Sequence, residues 1–301
     1  MQSKCSHLEN PVCRNECEVG GADGGRRIMN LCPLCGSEAV RELNLSHTVI
    51  WKCRANNCGL EFASPQLEDH ELAHVYSTLY YPATADSRPV KRREATPDSV
   101  LRQVLSQLEA SLGTLKGLRL LDYGCGRGPL SRIAFDFGLA PVGIEPDPVA
   151  RSIAAGRVGM PVYSSLAELC SKRPPAKFEL IILWNVIEHL RRPWLELQEI
   201  RRFLRPTGRL LLCTMNTSCL RARIERGRWM SYEDPTHFYY FNRRSLERVL
   251  GSGGFQRVHE WKPKIHYPHH GTFRHCFYDV STVFGVSDGL YYLCSTAAED
   301  A

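Results

Sequence analysis

No stretch of this 301-residue chain approaches the ~18 consecutive apolar residues that a membrane-spanning helix needs. The opening residues, MQSKCSHLENPVCRNEC, lack the apolar core of a secretory signal. Thirteen cysteines, an odd number scattered along the chain, do not form a disulfide framework. In a chain without a signal they read as free thiols or metal ligands and predict a cytoplasmic protein. No internal repeat is present. Charge of one sign is not concentrated either. The net charge of +6 is spread over short runs such as Lys91–Arg93, Arg221–Arg228 and Arg243–Arg248. This reads as a solvated surface. Aromatic residues are not set within a basic stripe, the pattern that single-stranded RNA binding favours, so a nucleic-acid partner is possible but not favoured.

What the chain does have begins with paired cysteines. Residues 1–30 are polar and glycine-rich and read as disordered. Cys5, Cys13 and Cys17 lie there at spacings that match no ligand pattern. Residues 31–65 read as a zinc ribbon. Cys32 and Cys35 form a C-x2-C turn, seventeen residues follow, and Cys53 and Cys58 form C-x4-C. Each pair can aim two thiolates at one ion, and four thiolates leave no open position, so the predicted zinc is structural. So short a segment has too little core to fold alone, and the metal would supply much of its folding free energy. Residues 66–95 read as a helix and a linker broken by Pro82 and Pro89.

Residues 96–301 read as one α/β domain. Thr96 as N-cap and Pro97 at the first turn open a helix-spaced apolar stretch. Apolar runs at 118–123, 141–145, 161–163, 178–184, 209–215, 255–261 and 289–295 then alternate with helical segments. That alternation predicts a doubly wound, mainly parallel seven-stranded sheet. The last two runs follow each other without a clear crossover helix, apart from 272–284, which suits one antiparallel strand at an edge.

The stretch LLDYGCGRGPL (residues 120–130) carries the chemistry. Gly124, Gly126 and Gly128 let the backbone turn tightly and approach a ligand. The next helix offers free N–H groups to an anion such as a carboxylate. The spacing D-x-G-x-G-x-G is not the dinucleotide fingerprint, and Asp122 would repel a pyrophosphate. A carboxylate there suits an ammonium group instead. Glu145 ends the second strand, nineteen residues past Gly126, where an acid accepts ribose hydroxyls. An amino group, a carboxylate and an adenosine ribose together describe S-adenosylmethionine. Cys125 and Pro146, within the two turns, complete this candidate cofactor set.

With those motifs in place, residues 118–262 resemble the class I S-adenosylmethionine-dependent methyltransferases. LLDYGCGRGPL is similar to their first motif, VGIEPD to their acidic second-strand motif, FELIILWNVIEHL to their fourth, and FLRPTGRLLLCTMN to the loop and fifth strand. The ribbon followed by VYSTLYY resembles a bacterial branch of the superfamily that acts on small molecules or glycans. The resemblance implies a Rossmann-like sheet with one antiparallel strand. It implies that Asp122, Gly124 and Gly126 line the methionine end and Glu145 holds the ribose. Ser165 or Ser164 would lie near the adenine, and Asn185 would border the sulfonium.

The implied activity is methyl transfer to an oxygen or nitrogen of a small-molecule or glycan-like acceptor. A hydroxyl acceptor needs a base. His189, in NVIEHL, and His237, in EDPTHFYYF, are the candidates. Glu188–His189 also resembles the Glu-His of ubiquinone-biosynthesis O-methyltransferases, where an upstream acid joins it around a divalent metal. Here Asn185 takes the upstream position, so metal dependence is not expected. Trp229 and Tyr232 are candidate walls of the acceptor pocket. His266, His269, His270 and His275 fall at irregular spacing and read as a polar loop. Alternative readings are an RNA base methyltransferase and a non-catalytic cofactor-binding scaffold.

Overall fold

The computed structural model describes residues 31–80, 96–174, 176–265 and 288–296. The Cys5, Cys13 and Cys17 group, the linker past Tyr80, the 272–284 segment and the histidines from His266 to His275 lie outside them.

The longest apolar run, FELIILW, becomes a central strand. Seven strands form one sheet: β4 (Arg119–Tyr123), β5 (Ala140–Ile144), β6 (Val162–Tyr163), β7 (Phe178–Trp184), β8 (Leu204–Met215), β10 (Arg257–Glu260) and β11 (Gly289–Ser295). A smaller sheet uses β1 (Ala39–Asn44), β2 (Val49–Cys53), β3 (Glu61–Ser64) and β9 (Tyr239–Tyr240). The large sheet runs β10-β11-β8-β7-β4-β5-β6. Strands β4 to β8 pair parallel, and β11 pairs antiparallel with both β8 and β10. The expected mixed edge is therefore present.

Alternation along the strands assigns the two faces. Leu180 and Ile182 pack on one side with Leu120 and Leu211, under α2 (Asp98–Leu112) and α3 (Pro129–Asp136). Ile181 and Leu183 pack on the other, under α6 (Pro193–Arg201) and α9 (Arg243–Ser252). In α2, the buried set Val100, Leu101, Val104, Leu105 and Leu108 repeats at helical spacing. Each fully buried aliphatic contributes about 1.5–3 kcal/mol relative to exposure. Two helices, α4 (Pro148–Val158) and α5 (Leu166–Lys172), complete the βα units.

Two local expectations need correction. Thr96 does not cap α2: Pro97 holds the cap position, and the Thr96 hydroxyl accepts from the Trp184 indole at 2.8 Å. The strand expected at 209–215 starts at Leu204. The sheet of the segment at 31–65 takes in a fourth strand, since β3 pairs with β9 at Glu61↔Tyr240 and Phe62↔Tyr239. Ribbon residues Cys53, Leu60 and Phe62 share one buried cluster with Phe238, Tyr239 and Phe241. Between the ribbon and α2 lies α1 (Asp69–Val75), which continues as a wide turn over Tyr76–Tyr80. After β8 come α7 (Leu220–Glu225) and α8 (Met230–Glu233). Among the described residues, no helix is long and apolar enough to cross a membrane.

Candidate active site

Strand order reverses between β4 and β7, and the crevice beyond their carboxyl ends is where open α/β sheets bind ligands. The glycine turn follows β4 there. Gly124 has φ +74, and a Cβ at this position would sit 2.6 Å from Val186 Cγ2, so the turn and the segment after β7 touch with no room for a side chain. The amides of Gly124 and Cys125 both donate to the Ile144 carbonyl, at 2.8 and 3.0 Å. No side chain caps the amino end of α3.

Asp122 is 2% exposed and accepts from Ser131 Oγ at 2.6 Å. Burial raises its carboxyl to about 6, although the bond from Ser131 opposes the rise. A buried carboxylate without a cationic partner fits an ammonium ligand. Glu145 Oε2 accepts from the Gly126 amide at 2.9 Å and Oε1 from the Asp147 amide at 2.8 Å. Burial raises Glu145 to about 7 against those two bonds. Each oxygen keeps a lone pair for a hydroxyl. The Pro146 and Glu145 carbonyls both accept from Arg151, at 2.8 and 2.7 Å, which fixes the turn after β5. Ser165 caps α5, accepting from the Glu168 amide at 3.2 Å, while Ser164 donates to the Glu168 carboxylate at 2.7 Å. Asn185 has φ +52, a costly backbone state for a non-glycine residue, at the end of β7.

Both candidate histidines meet in the same region. Their rings lie 4.7 Å apart, edge to face. His189 Nδ1 contacts Thr236 Oγ1 at 2.9 Å and the Thr236 carbonyl at 3.1 Å. Since Thr236 Oγ1 donates to Asp234 Oδ1 at 2.7 Å, His189 Nδ1 is the donor and Nε2 is left as the basic nitrogen. Likewise, His237 Nδ1 donates to the Ser231 carbonyl at 2.8 Å, and its Nε2 lies 3.9 Å from Asp234 Oδ2. Burial, and then His237, lower the His189 pKa, so this ring is neutral at pH 7.

Asp234, Tyr76, Tyr80 and Glu188 belong to the same cluster; they lie in the segments VYSTLYY, NVIEHL and EDPTHFYYF, and only contacts across the fold bring them together. Burial alone would raise Asp234, but His237 and His189 beside it, with bonds from Tyr80 and Thr236, hold it well below the usual carboxylate range. Tyr76 is raised by burial and then by the charges of Glu145 and Asp234, and its ring lies 5.2 Å from that of Tyr80. Glu188 is buried; one oxygen accepts from Thr214 at 2.9 Å and the other has no hydrogen-bond partner. One ligand atom each from Glu188, His189 and His237 lies within 4.8 Å of the others, so this trio can also hold a cation. Trp229 and Tyr232, expected to wall the pocket, pack against ribbon residues Ile50 and Ala63.

The ribbon cysteines converge as their spacing requires. Sγ atoms of Cys32, Cys35, Cys53 and Cys58 all lie within 4.8 Å of one another. Cys32–Cys58 is 3.9 Å and Cys35–Cys53 is 3.4 Å. Tetrahedral zinc needs sulfurs about 3.8 Å apart. The hydrogen bond between Cys32 and Cys58 pulls the Cys58 thiol down and pushes the Cys32 thiol up. The four thiols fit zinc.

The 3-2-1-4-5-7-6 type of strand order, the glycine turn after the first strand and the acid after the second define a class of nucleotide-cofactor-binding α/β proteins. A methyltransferase-domain family model matches residues 91–260, more than half of the chain, and the chain belongs to that family. A ubiquinone biosynthesis O-methyltransferase of Rhodopseudomonas palustris is 27% identical over 164 residues, covering 51% of this chain and 64% of the relative. One from Ruegeria pomeroyi is 32% identical over 127 residues, covering 40% and 51%. The chain thus spans roughly half to just under two-thirds of the length of these curated relatives. Among solved structures, the Burkholderia thailandensis 1,6-didemethyltoxoflavin-N1-methyltransferase, with bound 1,6-didemethyltoxoflavin and S-adenosylhomocysteine, shares the fold. It has a TM-score of 0.51 at 17% identity, covering 85% of this chain and 99% of that one.

Proposed function

We propose that this chain transfers a methyl group from S-adenosylmethionine to a hydroxyl or amine of a small-molecule or glycan-like acceptor. The observation that carries the reading is the meeting of two clusters where the glycine turn abuts the segment after β7. On one side stand Asp122 and Glu145, a buried pair of carboxylates suited to an ammonium and a ribose. On the other stand two histidines, each with Nδ1 tied to a main-chain carbonyl. The cofactor brings an already activated methyl group. The protein's part is therefore alignment, exclusion of water and proton removal. Asp122 would hold the amino group, Glu145 the ribose, and Gly124, Cys125, Gly126 and Pro146 the close backbone walls. Asn185 would border the sulfonium, and Ser165 would face the adenine with its backbone, since its hydroxyl is committed to the helix cap.

In this reading His237 Nε2 takes the acceptor proton and Asp234 stabilises the resulting imidazolium. His189, kept neutral by burial, is the neighbouring acceptor of the same proton. The ribbon binds structural zinc, and residues 31–65 and 96–301 act as one catalytic unit. The ubiquinone-biosynthesis relatives, named as O-methyltransferases, favour oxygen over nitrogen as the acceptor atom. A second reading rests on the unpartnered Glu188 oxygen: a divalent ion held by Glu188, His189 and His237 would then orient the acceptor oxygen. The test is titration calorimetry of the zinc-loaded protein with S-adenosylhomocysteine, using NAD as control, followed by transfer of labelled methyl into acceptor pools with and without added magnesium or manganese. Binding of the first ligand alone and transfer that needs no divalent ion beyond the ribbon zinc support the base reading. Failure to bind S-adenosylhomocysteine by a folded sample overturns it.

A further inference from the structure

The ribbon reaches further into the site than a shared strand. Glu61, in β3, is 4% exposed and accepts two hydrogen bonds, from Lys52 Nζ at 2.8 Å and from the Tyr232 hydroxyl. A buried carboxylate must be satisfied, so these donors are held firmly. Tyr232 belongs to α8, a four-residue helix without a side-chain cap, too short to hold its own place. Its position comes from tertiary contacts: the Glu61 bond, and ring contacts to Trp229 at 5.1 Å and Tyr240 at 4.8 Å. The residue before it, Ser231, supplies the carbonyl that accepts from His237 Nδ1. Tyr240 lies opposite Glu61 in the β3–β9 register and 6.1 Å from the His237 ring. Two short routes therefore lead from one ribbon carboxylate to one imidazole. On the far side of the segment, Asn242 Nδ2 donates to the Gly59 carbonyl at 2.6 Å, which fixes the segment's other end to the ribbon.

We propose that Glu61 and Tyr232 are positioning residues for His237. The ribbon carboxylate, through the phenol and the Ser231 carbonyl, keeps the imidazole protonated at Nδ1 with Nε2 turned toward Asp234 and the acceptor. The zinc ribbon is then a lever on the proton-accepting group rather than an appended module. The assignment rests on the reading of His237 as the base.

The test uses the full chain, zinc-loaded and labelled with 15N-histidine, with the His237 signal assigned by His237→Gln. The wild type should show a protected Nδ1–H resonance for His237. In Tyr232→Phe, which keeps the ring and its packing, that resonance should be lost to exchange, while S-adenosylhomocysteine affinity stays within about twofold. In Glu61→Gln, which keeps an acceptor for the phenol, the resonance should persist. A sharp Nδ1–H signal in Tyr232→Phe overturns the proposal. An Nε2–H tautomer in the wild type overturns both the proposal and the base reading. Failed S-adenosylhomocysteine binding by wild type, with the tautomer pattern as expected, overturns only the cofactor reading.

Discussion

Burial puts the two carboxylates of the proposed cofactor half of the site, Asp122 and Glu145, under electrostatic tension. Asp122 is raised to about 6, so the native state holds its proton more tightly than the unfolded chain, whose ordinary value is 3.8. Its contribution to stability is therefore present below pH ~4 and lost as pH rises through about 6. A ligand ammonium reverses that loss, because only the carboxylate pairs with it. Asp122→Asn should consequently raise the melting temperature of the ligand-free protein at pH 7.5 by about 5 °C. It should also weaken S-adenosylhomocysteine binding at least about tenfold, the loss expected for one charge-assisted bond. Scanning fluorimetry and calorimetry check the two arms, and an unchanged affinity defeats the assignment. Wild-type affinity should rise between pH 5 and pH 8 as Asp122, and then Glu145 near 7, ionise. For the proton-accepting half, Asp234→Asn removes the carboxylate that lies 3.9 Å from His237 Nε2. Methyl transfer to a hydroxyl acceptor should then fall about 100-fold, with cofactor affinity unchanged.

The glycine turn is the element on which both halves depend, since it abuts the segment carrying Glu188 and His189. Gly124→Ala places a Cβ against Val186 and forces a left-handed backbone, which costs about 1–2 kcal/mol before the clash is counted. Relief of the clash by Val186→Ala should recover part of the stability, while cofactor binding stays weak because the turn itself has moved. Thermal melts of the single and double variants test this, and full recovery of binding would count against it. This turn was readable from sequence because its signal is local: three spaced glycines, a strand before and a helix after. The seven strands were readable for the same reason, each being an apolar run between turn residues. What was not readable depends on distant partners. Strand β9 is two residues long and exists because it pairs with β3, nearly 180 positions earlier. Asp234 and Tyr80 gain their meaning from each other across a similar gap. Tyr232 looked like a pocket wall, and its hydroxyl instead meets Glu61, a residue that no motif marks.

At the scale of the molecule, the four-cysteine cluster and the segment carrying His237 share one small sheet. The ribbon has little core of its own: Cys53, Leu60 and Phe62 find their buried neighbours in Phe238, Tyr239 and Phe241. Zinc would fix the Arg54–Asn57 turn between Cys53 and Cys58, and with it the start of β3. Strand β3 in turn holds β9 and the Phe238 carbonyl, which accepts from the Ala63 amide at 2.9 Å. In the large sheet, β4, β5, β7 and β8 also have their own parallel pairing and their own cover in α2, α3, α6 and α9, and they join the ribbon through one shared buried cluster. Removing zinc should therefore act unevenly. In hydrogen-exchange measurements with a strong chelator, amides of β2, β3 and the 236–242 segment should lose protection, while those of β4 and β7 keep it. S-adenosylhomocysteine affinity should change little, since Asp122 and Glu145 sit on the protected strands, whereas methyl transfer should be lost with the order around His237. Uniform loss of protection would mean that zinc stabilises the whole fold, and full protection would mean that the four thiols hold their sheet without a metal.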